Sequence, residues 1–222
     1  MAKKLNPKTV YEALEERYGV PTPPLDHETP EQLAVAVILS AQCTDERVNQ
    51  VTPALFKAYP DMASLEQATQ EDVEKLIYST GFYRNKAKSL LGLAKELNEK
   101  YAGKIPRDFA VLCKLPGIGR KTANVIMNQV FGEAPGVVVD THVMRLSKRF
   151  LWTSKSNAVQ VEKDLMALLP KKMWKDISLY LIFFGREFCS ARAPQCEICQ
   201  FQKKCPSFQQ HSREPFDKKQ GQ

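Results

Sequence analysis

Leu115-Pro116-Gly117-Ile118-Gly119, followed at once by Arg120-Lys121-Thr122-Ala123-Asn124-Val125, restricts the fold of this chain more than any other stretch. Two glycines around one apolar residue let the backbone turn tightly and come close to a ligand, because neither carries a Cβ that blocks the approach. Ile118 can pack underneath. The segment predicts two helices joined by a hairpin, the second starting near Arg120. Its unpaired N–H groups and the positive end of its dipole then point beyond the turn. An anion suits that place, and a nucleic-acid phosphate in particular, since backbone N–H groups grip phosphate without reading sequence. An ordinary interhelical turn with glycine caps would also account for Gly117, Ile118, Gly119 and Arg120.

Lys121 shifts the balance. In the first turn of a helix, and beside Arg120, it sits at the wrong pole of the dipole for an ammonium; a helix built only for stability would carry Asp or Glu there. A lysine in that position points to an amine used for attack on carbon. Further on, the apolar run Gly136-Val137-Val138-Val139 delivers Asp140 just before Thr141-His142-Val143-Met144-Arg145. A carboxylate there can serve chemistry, and it can also cap the helix that starts near Thr141. His142 can contact a phosphate or cap the same helix.

The 222 residues suffice for one large domain or two modest ones. There is no run of eighteen apolar residues and no basic-then-apolar leader at Met1-Ala2-Lys3-Lys4-Leu5, so the chain reads as cytoplasmic, with no membrane partner. Thirty-two Lys and Arg against twenty-five Asp and Glu give a net charge of +7, which favours a polyanionic partner.

Helical periodicity dominates and no long alternating strand occurs, so the class is mainly α. Asn6-Pro7 starts a first helix that places Val10, Leu14 and Tyr18 on one face and stops at Gly19. Pro21-Thr22-Pro23-Pro24-Leu25-Asp26 reads as a linker. Thr29-Pro30-Glu31-Gln32 reads as a capping box ahead of Leu33–Leu39, which is apolar on all sides and therefore buried. Further helices are expected over 44–59, 64–68, 69–79, 83–102, 142–150, 156–169 and 173–188. Between two of them, Ser79-Thr80-Gly81-Phe82-Tyr83-Arg84-Asn85-Lys86-Ala87-Lys88 sets an aromatic pair on a glycine turn amid positive charge. Such aromatics can wedge into a base stack while cations hold phosphates, or they can belong to the core. Gln42 lies in a polar turn after the buried helix, where its amide can satisfy local backbone. The flanks at 1–5 and 212–222 are polar and expected to be disordered.

Cys189, Cys196, Cys199 and Cys205 form a C-x6-C-x2-C-x5-C group, while Cys43 and Cys113 stand alone in helical territory and read as core. With no secretion signal, a metal or cluster explains the group better than disulfides do. Four sulfurs suit either tetrahedral Zn²⁺ or one [4Fe–4S] cluster.

LPGIGRKTAN followed by VVVDTHVMR resembles the helix-hairpin-helix DNA glycosylases, specifically the endonuclease III branch, over nearly the whole chain. The resemblance implies a bifunctional DNA glycosylase and abasic-site lyase of base excision repair, a monomer that acts on oxidised pyrimidines in double-stranded DNA. It implies that Lys121 attacks C1′ of the damaged nucleotide, that Asp140 assists, and that Gln42 enters the duplex beside the orphaned base. Phe82 would insert where the family often has leucine, and the hairpin residues, with His142, would hold the DNA backbone. It also decides the cysteine question for a [4Fe–4S] cluster on Cys189, Cys196, Cys199 and Cys205. Two helical domains are implied: a barrel over 23–133, with the helix-hairpin-helix at about 108–132, and a cluster domain of 1–22 plus 134–222, with the DNA cleft between them. If the host is bacterial, the protein would be associated with the nucleoid. Two other readings stand beside this one. A mismatch adenine glycosylase usually lacks the lysine, and the glutamate such enzymes carry near the Gln42 turn is missing from Val37-Ile38-Leu39-Ser40-Ala41. A non-catalytic DNA-binding module with a structural metal would need neither Lys121 nor Asp140.

Overall fold

The computed structural model describes residues 3–21 and 23–211; the expected disordered flank at 212–222, like residues 1 and 2, lies outside this range. In chain order the helices are α1 (Pro7–Tyr18), α2 (Pro30–Leu39), α3 (Asp45–Ala58), α4 (Met62–Glu66), α5 (Gln70–Ile77), α6 (Tyr83–Tyr101), α7 (Phe109–Leu112), α8 (Arg120–Phe131), α9 (Thr141–Arg149), α10 (Ala158–Leu168), α11 (Ile177–Glu187) and α12 (Pro206–His211). No strand occurs among the described residues, so the class is mainly α. The chain forms two compact units: one gathers the segments ending at Pro21 and beginning at Gly136, the other the segment between them.

In the central unit α2 is the axis of the core. Leu33, Ala34, Ala36 and Leu39 have no exposed surface, because α3, α6 and α8 all pack on this helix. Each such leucine contributes about 1.5–3 kcal/mol relative to exposure. Thr29 Oγ1 caps α2 by accepting from the Gln32 N–H at 3.1 Å, but Gln32 Oε1 accepts from Glu28, at 2.8 Å, so only half of the expected box forms. Glu31 tolerates burial because its carboxylate accepts the Ile105 N–H at 3.0 Å near the positive end of α2. The helix expected over 64–68 starts earlier, at Met62. Asp61 Oδ1 accepts from the Ser64 N–H at 2.8 Å and Ser64 Oγ accepts from the Asp61 N–H at 3.2 Å, a capping box that fixes the first turn there. Cys43 and Cys113 are half-buried against this core.

In the other unit α1 lies on α11. Asn6 Oδ1 caps α1 through the N–H groups of Lys8 and Thr9 at 2.9 and 3.2 Å. Val10 and Leu14 are fully buried, and Tyr11 meets Tyr180 edge-on with ring centres 5.4 Å apart. Arg17 pairs with Glu187, and the Tyr18 hydroxyl donates to the same carboxylate at 2.6 Å; the Arg17 hydrogen bond, with that of Tyr18, holds the Glu187 carboxyl below its usual range. Two expectations change in this unit. Leu5 does not belong to a disordered flank: it is 3 % exposed, its N–H donates to Phe150 at 3.1 Å, and its carbonyl accepts from Trp152 Nε1 at 2.7 Å. The helix expected from Met173 begins only at Ile177, after a 3-10 turn over Lys171–Met173. Trp174 Nε1 donates back to the Leu169 carbonyl at 2.9 Å and folds the intervening segment onto the end of α10.

Candidate functional site

The hairpin between α7 and α8 assigns its two glycines different tasks. Gly117 has φ +74°, and a Cβ there would lie 2.8 Å from Ser89 Cβ and 3.0 Å from Ile38 Cδ1, so the fold itself requires glycine. Ile118, 3 % exposed, packs beneath the turn, its N–H donating to the Leu115 carbonyl at 3.0 Å. Gly119 is the N-cap of α8 with ordinary extended backbone, and a Cβ on it would meet nothing within 4 Å. The fold makes no demand for glycine there; what the missing side chain leaves is open space before the first turn of α8. Arg120 and Lys121 form that turn and are both exposed. The Arg120 guanidinium lies 5.1 Å from the Phe109 ring centre, a cation–π contact that steadies the first residue of α8 on α7.

Two other turns of the same unit carry Gln42 and Phe82. Both residues are exposed and left-handed, with φ of 52° and 47°, a backbone state that costs a non-glycine residue about 1–3 kcal/mol. Ala102 and Leu151 share positive φ, but they end helices, where such a residue is ordinary. Phe82 instead opens α6 as its N-cap, with no side-chain cap bond. The core reading of the aromatic pair therefore fails for Phe82, which is 63 % exposed; Tyr83 is half-buried against Tyr78 at 4.8 Å between ring centres. The positive charge around them is also not uniform: Arg84 and Lys88 are exposed, whereas Lys86 is buried.

Asp140 and His142 belong to the other unit. The buried run Val137–Val139 reaches Asp140 in extended conformation, with the Val138 carbonyl accepting from Ser178 Oγ at 2.7 Å. Asp140 Oδ1 accepts the Val143 N–H at 2.8 Å, so Asp140 is the N-cap of α9. His142 does not cap: its Nδ1 accepts from Arg145 Nη2 at 3.1 Å. Arg145 also donates to the carbonyls of Cys189 and Gly185, each at 3.1 Å, which joins the first turns of α9 to the end of α11. Gly185 lets the two helices approach closely: a Cβ there would lie 2.9 Å from Arg145 Nη2 and 3.0 Å from His142 Nδ1, so these side chains would have to shift.

Cys189, Cys196, Cys199 and Cys205 line one cavity of about 680 Å³ together with Arg149, Arg192, Phe184 and Phe188. No disulfide joins any two of the six cysteines. Arg149 was not singled out by sequence, because nothing local marks it. It donates to Cys189 Sγ at 3.1 Å, to the Cys189 and Ser190 carbonyls at 3.1 and 2.7 Å, and to Ala191 at 3.0 Å. Burial first, and then the field of the neighbouring sulfurs, pushes the Cys196, Cys199 and Cys205 thiols up. A set of sulfurs that repel one another's charge this way suits a soft, positively charged centre. Among the described residues no three His, Cys, Asp or Glu side chains are placed to hold one metal ion, so the shared element is the cavity wall.

Residues 35–171 match the HhH-GPD superfamily of base excision DNA repair proteins. The chain is 47 % identical to the endonuclease III of Synechocystis sp. over 94 % of its own length and 95 % of the relative's. It belongs to the endonuclease III family. The Bacillus subtilis endonuclease III is 44 % identical, over 88 % of this chain and 89 % of that protein. A solved structure of a trapped endonuclease III–DNA covalent intermediate superposes with a TM-score of 0.89 at 40 % identity, covering 96 % of this chain and all of that one. No helix among the described residues is long and apolar enough to cross a membrane.

Proposed function

We propose that this chain is a bifunctional DNA glycosylase and abasic-site lyase that removes oxidised pyrimidines from duplex DNA through a Schiff base on Lys121. The observation that carries the reading is an exposed amine in the first turn of α8, behind a glycine whose Cβ direction is open. A phosphate can approach the N–H groups at that helix end, which sets the amine beside the sugar. The family relationship and the trapped covalent DNA complex of an endonuclease III support the same chemistry.

A base inside a duplex hides its glycosidic carbon, so the nucleotide must leave the stack, at a cost of a few kcal/mol. Gln42 and Phe82, exposed on strained turns, suit filling the space it vacates. The Lys121 amine attacks C1′, the C1′–N bond breaks, and the base leaves with its electron pair and takes up a proton; Asp140 stabilises the developing positive charge on the sugar and helps deprotonate the amine. The sugar ring then opens as the C1′–O4′ bond breaks, O4′ takes up a proton and the nitrogen loses one, and the imine so formed acidifies the C2′ protons. Loss of one expels the 3′ phosphate by β-elimination and cuts the strand 3′ to the lesion. The four cysteines of the cavity would hold a [4Fe–4S] cluster. Four sulfurs would suit one zinc ion as well, and it is the family relationship that favours the cluster. With four chain ligands the group supplies a cross-link of the loop and no open site for substrate, and Arg192, Lys203 and Lys204 of that loop suit a DNA backbone. A single chain supplies every residue named, and a cytoplasmic, nucleoid-associated location goes with the substrate.

Borohydride added to the protein with a duplex holding one abasic site is expected to give a covalent protein–DNA band; absence of that band overturns the lyase reading. The hairpin offers a second check. Gly117→Ala is expected to destabilise the protein by about 1–3 kcal/mol in thermal or urea unfolding, because it adds strain and a clash together. Gly119→Ala, with no clash and ordinary backbone, should cost less than Gly117→Ala, about 0.5–1 kcal/mol from the poorer N-cap, yet weaken duplex binding in a titration. Equal effects of the two would contradict the division of labour.

A further inference from the structure

Lys86 is the one lysine among the described residues that the core swallows, at 5 % exposure. Its Nζ donates to the Leu39 carbonyl at 2.8 Å and to the Thr80 carbonyl at 2.9 Å. Burial lowers its tendency to hold a proton; the Leu39 carbonyl that it meets is at the negative end of α2, where a cation is favoured. Burying a charged group is costly unless each donor is answered, so the side chain needs a task that an apolar residue could not perform.

The task is visible in what the two acceptors precede. Leu39 ends α2, and three residues later stands Gln42 with φ 52°; Thr80 ends the 3-10 turn before Gly81, and two residues later stands Phe82 with φ 47°. The backbone N–H of Lys86 donates to the Phe82 carbonyl at 3.1 Å, so one residue grips the Phe82 turn at both of its ends and the Gln42 turn at its root. Thr80 Oγ1 adds a buried bond to Ile77 at 2.8 Å, and Ser40 Oγ donates to Val37 at 2.9 Å, which stiffens the segments that Lys86 holds.

We propose that Lys86 is a positioning residue: through the Leu39 and Thr80 carbonyls it locks the Gln42 and Phe82 turns to α6, so that both exposed side chains enter the duplex in fixed register when a nucleotide leaves the stack. It rests on the lyase reading above, and it touches neither sugar nor base. An ammonium suits the work because it offers three donors at one point, on a stem long enough to reach two turns from α6.

The test compares two substrates in single-turnover assays: a duplex with one oxidised pyrimidine, which must be opened, and a single strand with a preformed abasic site, which has no stack to open. K86M is expected to slow the duplex reaction about 10²-fold, as small misplacements of positioning groups do, while borohydride trapping on the single strand stays at the wild-type rate. K86R, which keeps donors at the same place, should recover part of the duplex rate. Equal loss on both substrates, or no loss on either, overturns the proposal; K86Q in the same pair of assays decides it if K86M does not fold. Failure of the wild-type protein to trap on an abasic duplex would instead overturn the lyase reading itself.

Discussion

Lys121→Gln is expected to abolish the borohydride-trapped adduct and to lower strand cleavage at an abasic site by on the order of 10⁴-fold or more, the scale seen when a catalytic nucleophile is removed. The amide of glutamine is similar in reach but has no basic lone pair, so it cannot form the imine through which β-elimination proceeds. Lys121 is exposed in the first turn of α8, and replacement of an exposed residue at that pole, where an ammonium gains nothing from the helix dipole, should change stability by less than about 0.5 kcal/mol. Unchanged unfolding with lost trapping would therefore isolate the chemistry from the fold. A trapped adduct in Lys121→Gln would show that another amine is the nucleophile and would sink the assignment. The outcome also bears on the rival readings: neither a mismatch adenine glycosylase nor a non-catalytic DNA-binding module needs an amine at this position.

Asp140→Asn should slow both base removal and strand cleavage by about 10²–10⁴-fold, the usual worth of a positioned acid–base group. Asparagine caps a helix about as well as aspartate. It can accept the Val143 N–H as Asp140 Oδ1 does at 2.8 Å, so α9 should keep its first turn and the protein its affinity for an abasic duplex. Asp140→Ala loses the cap as well and should cost about 1 kcal/mol of stability. The pair separates the two uses of one carboxylate: Asn removes the charge and keeps the cap, Ala removes both. Full turnover by Asp140→Asn would leave Asp140 a cap and nothing more.

Arg145 and Arg149 show how a site can be carried by residues with no local signature. Both lie on α9 and reach the Cys189 segment, and their role rests on which carbonyls α11 and the cysteine loop bring to them. The cysteine group, by contrast, is legible from the chain alone, because four cysteines so close in sequence need no distant segment to line one cavity.

Local chemistry determined much of this protein in advance. Capping residues at Asn6, Thr29, Thr44, Asp61 and Asp140 start their helices where side-chain oxygens can meet N–H groups two or three residues on, an interaction that needs no distant partner. The hairpin glycines, the all-apolar α2 and the cysteine group are equally local. What only the tertiary structure decided is which of two similar residues serves the fold and which faces solvent. Gly117 and Gly119 read alike until Ser89 and Ile38 arrive beside one of them. Lys86 is one of several cations in its stretch until Leu39 and Thr80 close over it, and Phe82 stands between wedge and core until its left-handed backbone leaves the ring exposed. The reason is the same each time: burial and close contact are set by neighbours distant in sequence, and no short-range pattern encodes them.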